Sequence, residues 1–159
     1  MLDLGCGYGA AAYSIELRSG AMVTGIDLNK DNIALARKRF QHASLTFVEG
    51  NALRDLPGDS YDVIVLSNLL EHIERRIEFL LETQQRLNPR RWLIRLPMFN
   101  RDWRVPLRKE LGMHYFSDGT HCTEYTQESF EEEMRVVGLS ITHMQINWSE
   151  IWAEVRPNA

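Results

Sequence analysis

The chain has 159 residues, 44% of them apolar, with 18 basic and 22 acidic side chains and a formal net charge of −4. That length argues for a single domain over residues 1–159, and the acid excess excludes a general electrostatic grip on nucleic acid. No apolar run approaches the ~18 residues of a membrane span and no leader pattern precedes the first strand, so a cytoplasmic protein is expected; Cys6 and Cys122 make no disulfide framework.

Residues 1–4 read as an apolar strand that runs into Gly5-Cys6-Gly7-Tyr8-Gly9. Alternating glycines let backbone approach a ligand where a Cβ would collide, and 8–17 reads as a helix, so this is a nucleotide-type binding turn. Its G-x-G-x-G spacing differs from the G-x-G-x-x-G of dinucleotide sites and points away from NAD. A second strand at 22–26 ends in Asp27, where a carboxylate can grip a ribose diol; Asn29 or Asp31 is left to cap the helix over 29–40. A third strand is read at 45–48, after which the weakly helical region 53–60 is broken by Pro57-Gly58-Asp59. The fourth strand, 63–66, precedes a helix whose apolar stripe from Ile73 through Ile77 and Leu80 to Leu87 stops at Asn88-Pro89. A fifth strand at 92–96 leads into a long connection, 97–125, and then into a helix with Thr126 as N-cap and Gly138 at its end. The last two strands, 140–145 and 151–155, are joined by a link too short for a parallel crossover. This alternation predicts an α/β, doubly wound sheet covered on both faces.

Four segments carry a resemblance: Leu2-Asp3-Leu4-Gly5-Cys6-Gly7-Tyr8-Gly9, Gly25-Ile26-Asp27-Leu28, Phe47-Val48-Glu49-Gly50-Asn51-Ala52, and Tyr61 through Leu70-Glu71-His72. Together they resemble the motifs of the class I S-adenosylmethionine-dependent methyltransferases. A later His121-Cys122-Thr123-Glu124-Tyr125-Thr126 is similar to the small-molecule group of types 11 and 23. The resemblance implies a Rossmann-like seven-stranded sheet, order 3-2-1-4-5-7-6, with strand 7 antiparallel. It implies S-adenosylmethionine as cofactor and methyl transfer to a small molecule, at oxygen in preference to nitrogen or carbon. Gly5, Gly7 and Gly9 would pass close to the methionine part, with Cys6 filling the turn, and Asp3 would hold its ammonium. Asp27 would bind the ribose, Leu28 would lie against the adenine, and Asn51 and Ala52 would meet the adenine edge by side chain and backbone N–H. Ser67, Asn68 and Leu69 would border the transferring methyl. Base-modifying relatives carry Asn-Pro-Pro-Tyr at that point, so a nucleic-acid partner is not expected. The sequence opens inside the first strand, without the helical lid segment the resemblance implies ahead of it, which predicts a more open cofactor cleft.

Residues 97–125 are expected to cap the acceptor site, since loops of that length in a compact domain are commonly functional or disordered and this one is rich in aromatic residues. Its arginines suggest an anionic acceptor. His121 and His72 are the candidate general bases, each with a structural alternative: His121 holding the loop closed, His72 packing beside Glu71 in the first turn of a helix. His114, His121 and Cys122 match no strong zinc spacing, so no metal is expected. Two other functions stay open, a catalytically silent S-adenosylmethionine-binding module serving a protein partner and an NAD-dependent oxidoreductase.

Overall fold

Strands β1 (Leu2–Leu4), β2 (Val23–Asp27), β3 (Leu45–Glu49), β4 (Val63–Ser67), β5 (Arg91–Pro97), β6 (Leu139–Asn147) and β7 (Glu150–Pro157) form one sheet in a computed structural model of the chain, which describes residues 1–58 and 60–158. Their order is β3-β2-β1-β4-β5-β7-β6. Neighbours among β1 to β5 pair in parallel, while β7 runs antiparallel to both β5 and β6. The expected order and the expected antiparallel strand are both present. The topology follows from connection length, because parallel neighbours need a crossover and β6 and β7 are joined by a two-residue turn.

Asn147 pairs with Glu150, leaving Trp148 and Ser149 at φ 54° and 55°. Positive φ at both central residues is the type I′ geometry whose twist matches that of the flanking strands, and it favours glycine at the second position. An L-residue in this region costs ~1–2 kcal/mol, and glycine's greater unfolded-state freedom offsets part of that relief. Ser149→Gly is therefore expected to stabilise the protein by about 0.5–1 kcal/mol, read as a higher urea midpoint at unchanged slope. A lowered midpoint would mean that the turn is not strained.

Helices α1 (Ala10–Ser19), α2 (Lys30–Arg39), α3 (Arg76–Leu87), α4 (Arg104–Glu110) and α5 (Gln127–Val136) fill the connections. Asn29 caps α2 by accepting from the backbone N–H of Asp31 and Asn32, and Thr126 opens α5 with a reciprocal bond to Ser129. Two elements differ from expectation. The apolar stripe after β4 is not one helix: a 3-10 turn at Leu70–His72 is followed by an extended Ile73 before α3 begins at Arg76. The 97–125 connection is not a plain loop, since it contains α4, anchored by buried Val105. No helix forms over 53–58, in keeping with the Pro57-Gly58 break; Asp59 lies outside the described residues.

Burial splits into two apolar clusters, one on each face of the sheet, the second reaching only β2 and β3. One joins Leu2, Leu4, Ile64, Leu66, Ile94 and Leu96 of the central strands to Leu80 and Leu87 of α3 and Phe130 and Met134 of α5. The other packs Val23, Leu45 and Phe47 against Ala12 of α1 and Ile33 and Ala36 of α2. Among the described residues, no helix is long and apolar enough to cross a membrane.

Candidate functional site

Two candidate regions lie at the carboxyl ends of the parallel strands, and the segment after β4 borders both. The first is built on the turn after β1. Gly5, Gly7 and Gly9 all have positive φ, at 73°, 53° and 84°, but their reasons for being glycine differ. A Cβ on Gly9 would lie 2.5 Å from the Phe47 ring and one on Gly5 would lie 2.9 Å from Leu69, so the protein's own packing demands both. Above Gly7 nothing lies within 4 Å, which leaves that backbone open to a ligand. Cys6 fills the hollow over Gly25, and burial pushes its thiol up, away from any nucleophilic role.

Asp3 is 1% exposed, and neither carboxylate oxygen has a hydrogen-bond partner. Burial first, and the nearby Asp27 charge second, push its carboxyl up to about 7. A buried carboxylate with no donor is costly, and a cation placed there would relieve it. Asp27, by contrast, is already engaged. Its Oδ2 accepts from Gly7 N–H at 2.8 Å, and its Oδ1 accepts from Asn29 N–H at 2.9 Å and from the Asn32 amide at 3.3 Å. One lone pair on Oδ2 remains, and the long Asn32 contact is the weakest of the three. The Asn51 carbonyl likewise accepts from Leu53 N–H at 2.8 Å. Among the described residues no acceptor meets the Ala52 N–H. Leu28 stands 70% exposed beside Asp27.

The second region is a cavity of about 650 Å³ between the end of β4 and residues 97–125, with Asn68, Met98, Trp103 and Arg104 in its walls. Its polar end joins residues far apart in sequence. Glu71 is buried, its Oε2 has no partner, and desolvation raises its carboxyl to about 7. The Glu71 carbonyl accepts from Cys122 N–H at 2.7 Å, which pins residues 120–123 beside the 3-10 turn. The His72 and His121 rings meet edge to face with centroids 4.7 Å apart. His121 Nδ1 lies 3.0 Å from Glu124 Oε1, and His72 Nδ1 lies 2.9 Å from Thr120 Oγ1.

The structure thus brings together His72 and His121, and joins Gly7 to Asp27 beside the buried Asp3 at the carboxyl ends of β1 and β2. His114 stands apart and packs against Phe116, so His114, His121 and Cys122 form no ligand set; among the described residues the clustered ligating groups are Glu71, His72 and His121. Glu71 is not placed by a helix dipole as expected, because α3 starts five residues later. Glu124 and Thr120 were not singled out from the sequence. A His-x-x-Glu spacing in 121–124 was the available signal.

Five arginines between Arg90 and Lys109 are paired with acids. Arg95 forms two bonds to Glu150, at 2.9 and 3.0 Å, Arg101 reaches Glu150 at 3.0 Å, and Arg104 pairs with Asp102. Arg90 and Arg91 face Asp62 and Glu154. Most of these acids come from other parts of the chain, so the arginines of 97–125 by themselves do not measure the local field.

Residues 1–144 match the family described as Methyltransferase domain. The chain is 34% identical over 109 residues to the mitochondrial ubiquinone biosynthesis O-methyltransferase of Saccharomyces cerevisiae, covering 64% of this chain and 34% of that protein. It is 39% identical over 93 residues to the fatty-acid O-methyltransferase of Mycolicibacterium smegmatis, covering 56% and 33%. The aligned chain therefore spans about a third of the length of these curated relatives. Its fold is similar to that of magnesium protoporphyrin IX methyltransferase from Synechocystis, solved with bound S-adenosylhomocysteine, at a TM-score of 0.75 and 17% identity over 99% of this chain and 73% of that one.

Proposed function

The chain belongs to the class I S-adenosylmethionine-dependent methyltransferases, and from that premise we propose that it methylates an oxygen of a small-molecule acceptor held in the cavity beside His72 and His121. When bound, S-adenosylmethionine supplies a methyl group already activated on a sulfonium sulfur. The residues of the first region fit this group. The orphaned Asp3 carboxylate, which carries the reading, suits the ammonium of a methionine moiety, and the open backbone at Gly7 admits its chain. Asp27 offers its remaining lone pair to a ribose hydroxyl, Leu28 gives an apolar surface to the adenine, and the Ala52 N–H faces its edge.

The chain's contribution beyond binding is placement, because an acceptor oxygen held in line gains most of what proximity can supply. Leu69 packs on Gly5 while Asn68 lines the acceptor cavity, so the short segment Ser67-Asn68-Leu69 separates the two ligands. His72 and His121 are the groups that activate the acceptor's hydroxyl. Two relatives are O-methyltransferases by name, which supports oxygen as the acceptor atom. Since Arg101 and Arg104 of the excursion are paired with acids, the proposal carries no requirement for an anionic acceptor. A small molecule is favoured over nucleic acid by the acidic balance of the chain. The silent binding module and the NAD-dependent oxidoreductase are the rivals, and calorimetry separates the cofactors.

S-adenosylhomocysteine is expected to bind and NAD is not. Because the ligand ammonium favours the ionised form of Asp3, binding below about pH 7 releases a proton, and affinity should rise ~10-fold in all between pH 6 and a plateau above 7. Asp3→Asn should flatten that slope. NAD binding in place of S-adenosylhomocysteine would overturn the proposal, and an unchanged slope in Asp3→Asn would remove Asp3 from the site. In the ligand-free protein the sign reverses. A carboxyl raised to about 7 in the folded chain holds its proton where the unfolded chain, titrating near 3.8, has lost it. Stability then falls as pH rises between those values and levels off above about 7.

A further inference from the structure

We propose that Glu71, His72 and His121 bind one divalent first-row transition-metal ion, and that this ion is how the two histidines activate the acceptor's hydroxyl. The second clause rests on the cavity being the acceptor site; the metal site itself stands on the side-chain geometry. One ligating atom from each residue lies within 4.8 Å of the other two. Hydrogen bonding fixes the proton on each ring. Thr120 Oγ1 donates to Asp118 Oδ1 at 2.6 Å and so accepts from His72 Nδ1. Glu124 offers only acceptor oxygens, so His121 Nδ1 carries the proton it shares at 3.0 Å. Both Nε2 atoms are left with bare lone pairs, and the partnerless Glu71 Oε2 adds a third acceptor.

Three residues that each bring a ligating atom into so small a space, with no donor assigned to the Glu71 Oε2, are an arrangement a cation resolves. Bonds of ~2.0–2.2 Å to one central ion require the three side chains to close by small shifts. Two imidazoles and one carboxylate suit zinc, cobalt, manganese or iron(II) and suit magnesium and calcium poorly, since those prefer oxygen alone. Glu124 behind His121, and the Asp118–Thr120 pair behind His72, supply the outer hydrogen bonds that orient metal-binding imidazoles. Three protein ligands leave coordination positions open toward the cavity. There the acceptor's O–H coordinates, its proton passes to bulk water, and the oxygen anion stays held by the cation, whose charge lowers the hydroxyl pKa.

The test is titration of chelator-stripped protein with Co²⁺, followed by visible absorption, with S-adenosylhomocysteine calorimetry on the same sample. One Co²⁺ per chain is expected. Glu71→Gln, His72→Gln and His121→Gln should each weaken it by at least ~10-fold, and Glu124→Gln by ~10–100-fold. His72 lies at the exposed side of the cluster, so His72→Gln keeps the proposal testable if Glu71→Gln fails to fold. Absence of Co²⁺ binding, wild-type affinity in His72→Gln and His121→Gln, or Mg²⁺ binding as tightly as Co²⁺ would overturn it. S-adenosylhomocysteine binding without Co²⁺ binding removes the metal site and leaves the methyltransferase reading standing; Co²⁺ binding without S-adenosylhomocysteine does the reverse.

Discussion

Replacing Asp27 with alanine should weaken S-adenosylhomocysteine binding by at least ~100-fold, because hydrogen bonds to a charged group contribute about 1.5–3 kcal/mol each and the ribose diol offers two. The structure adds a second cause. The same carboxylate accepts from Gly7 N–H at 2.8 Å, so its removal also frees the turn that must lie against the ligand. Asp27→Asn divides the two effects: its carbonyl can still brace Gly7, while its amide offers the diol a donor in place of an acceptor. Calorimetry should therefore place Asp27→Asn between the wild type and Asp27→Ala. A change below about threefold in Asp27→Ala would take the residue out of the binding site.

The second large effect is on stability. Arg76 of α3 is hydrogen-bonded to Glu133 of α5, whose other oxygen accepts from the Tyr125 hydroxyl at 2.7 Å. The Glu133 side chain is 5% exposed and Tyr125 1%, so the carboxylate depends on both partners. Arg76→Ala leaves it buried without a cation, a loss that costs ~3–5 kcal/mol for fully buried pairs. With the Arg76 side chain 27% exposed, water recovers part of that, and about 2–3 kcal/mol is expected in urea unfolding. The double variant Arg76→Ala/Glu133→Leu should regain much of the loss, since it removes the stranded charge and leaves only the Tyr125 hydroxyl unpaired. A loss below ~0.5 kcal/mol in Arg76→Ala would show that solvent already satisfies Glu133. Because Tyr125 closes the 97–125 excursion, the same variant tests how firmly that excursion is held over the cavity.

The elements and their order were legible because they depend on neighbours within a few residues. Apolar alternation marked β1 to β7 to within about two residues. The Asn29 and Thr126 caps announced α2 and α5, and the short link at 146–150 required an antiparallel pair. The glycine turn and Asp27 were legible for the same reason, since strand, turn and acid lie in one continuous unit. Tertiary structure decided whatever depends on a partner from another crossover. It chose Phe47 and Leu69 as the reasons for Gly9 and Gly5, engaged Asp27 with Gly7, and set Glu150 against Arg95 and Arg101. It also joined His72 to Thr120, 48 positions away, and so created the polar end of the cavity beside 97–125. Periodicity and capping record which way a side chain faces; which distant group it meets depends on how the sheet stacks its crossovers, and no local pattern encodes that.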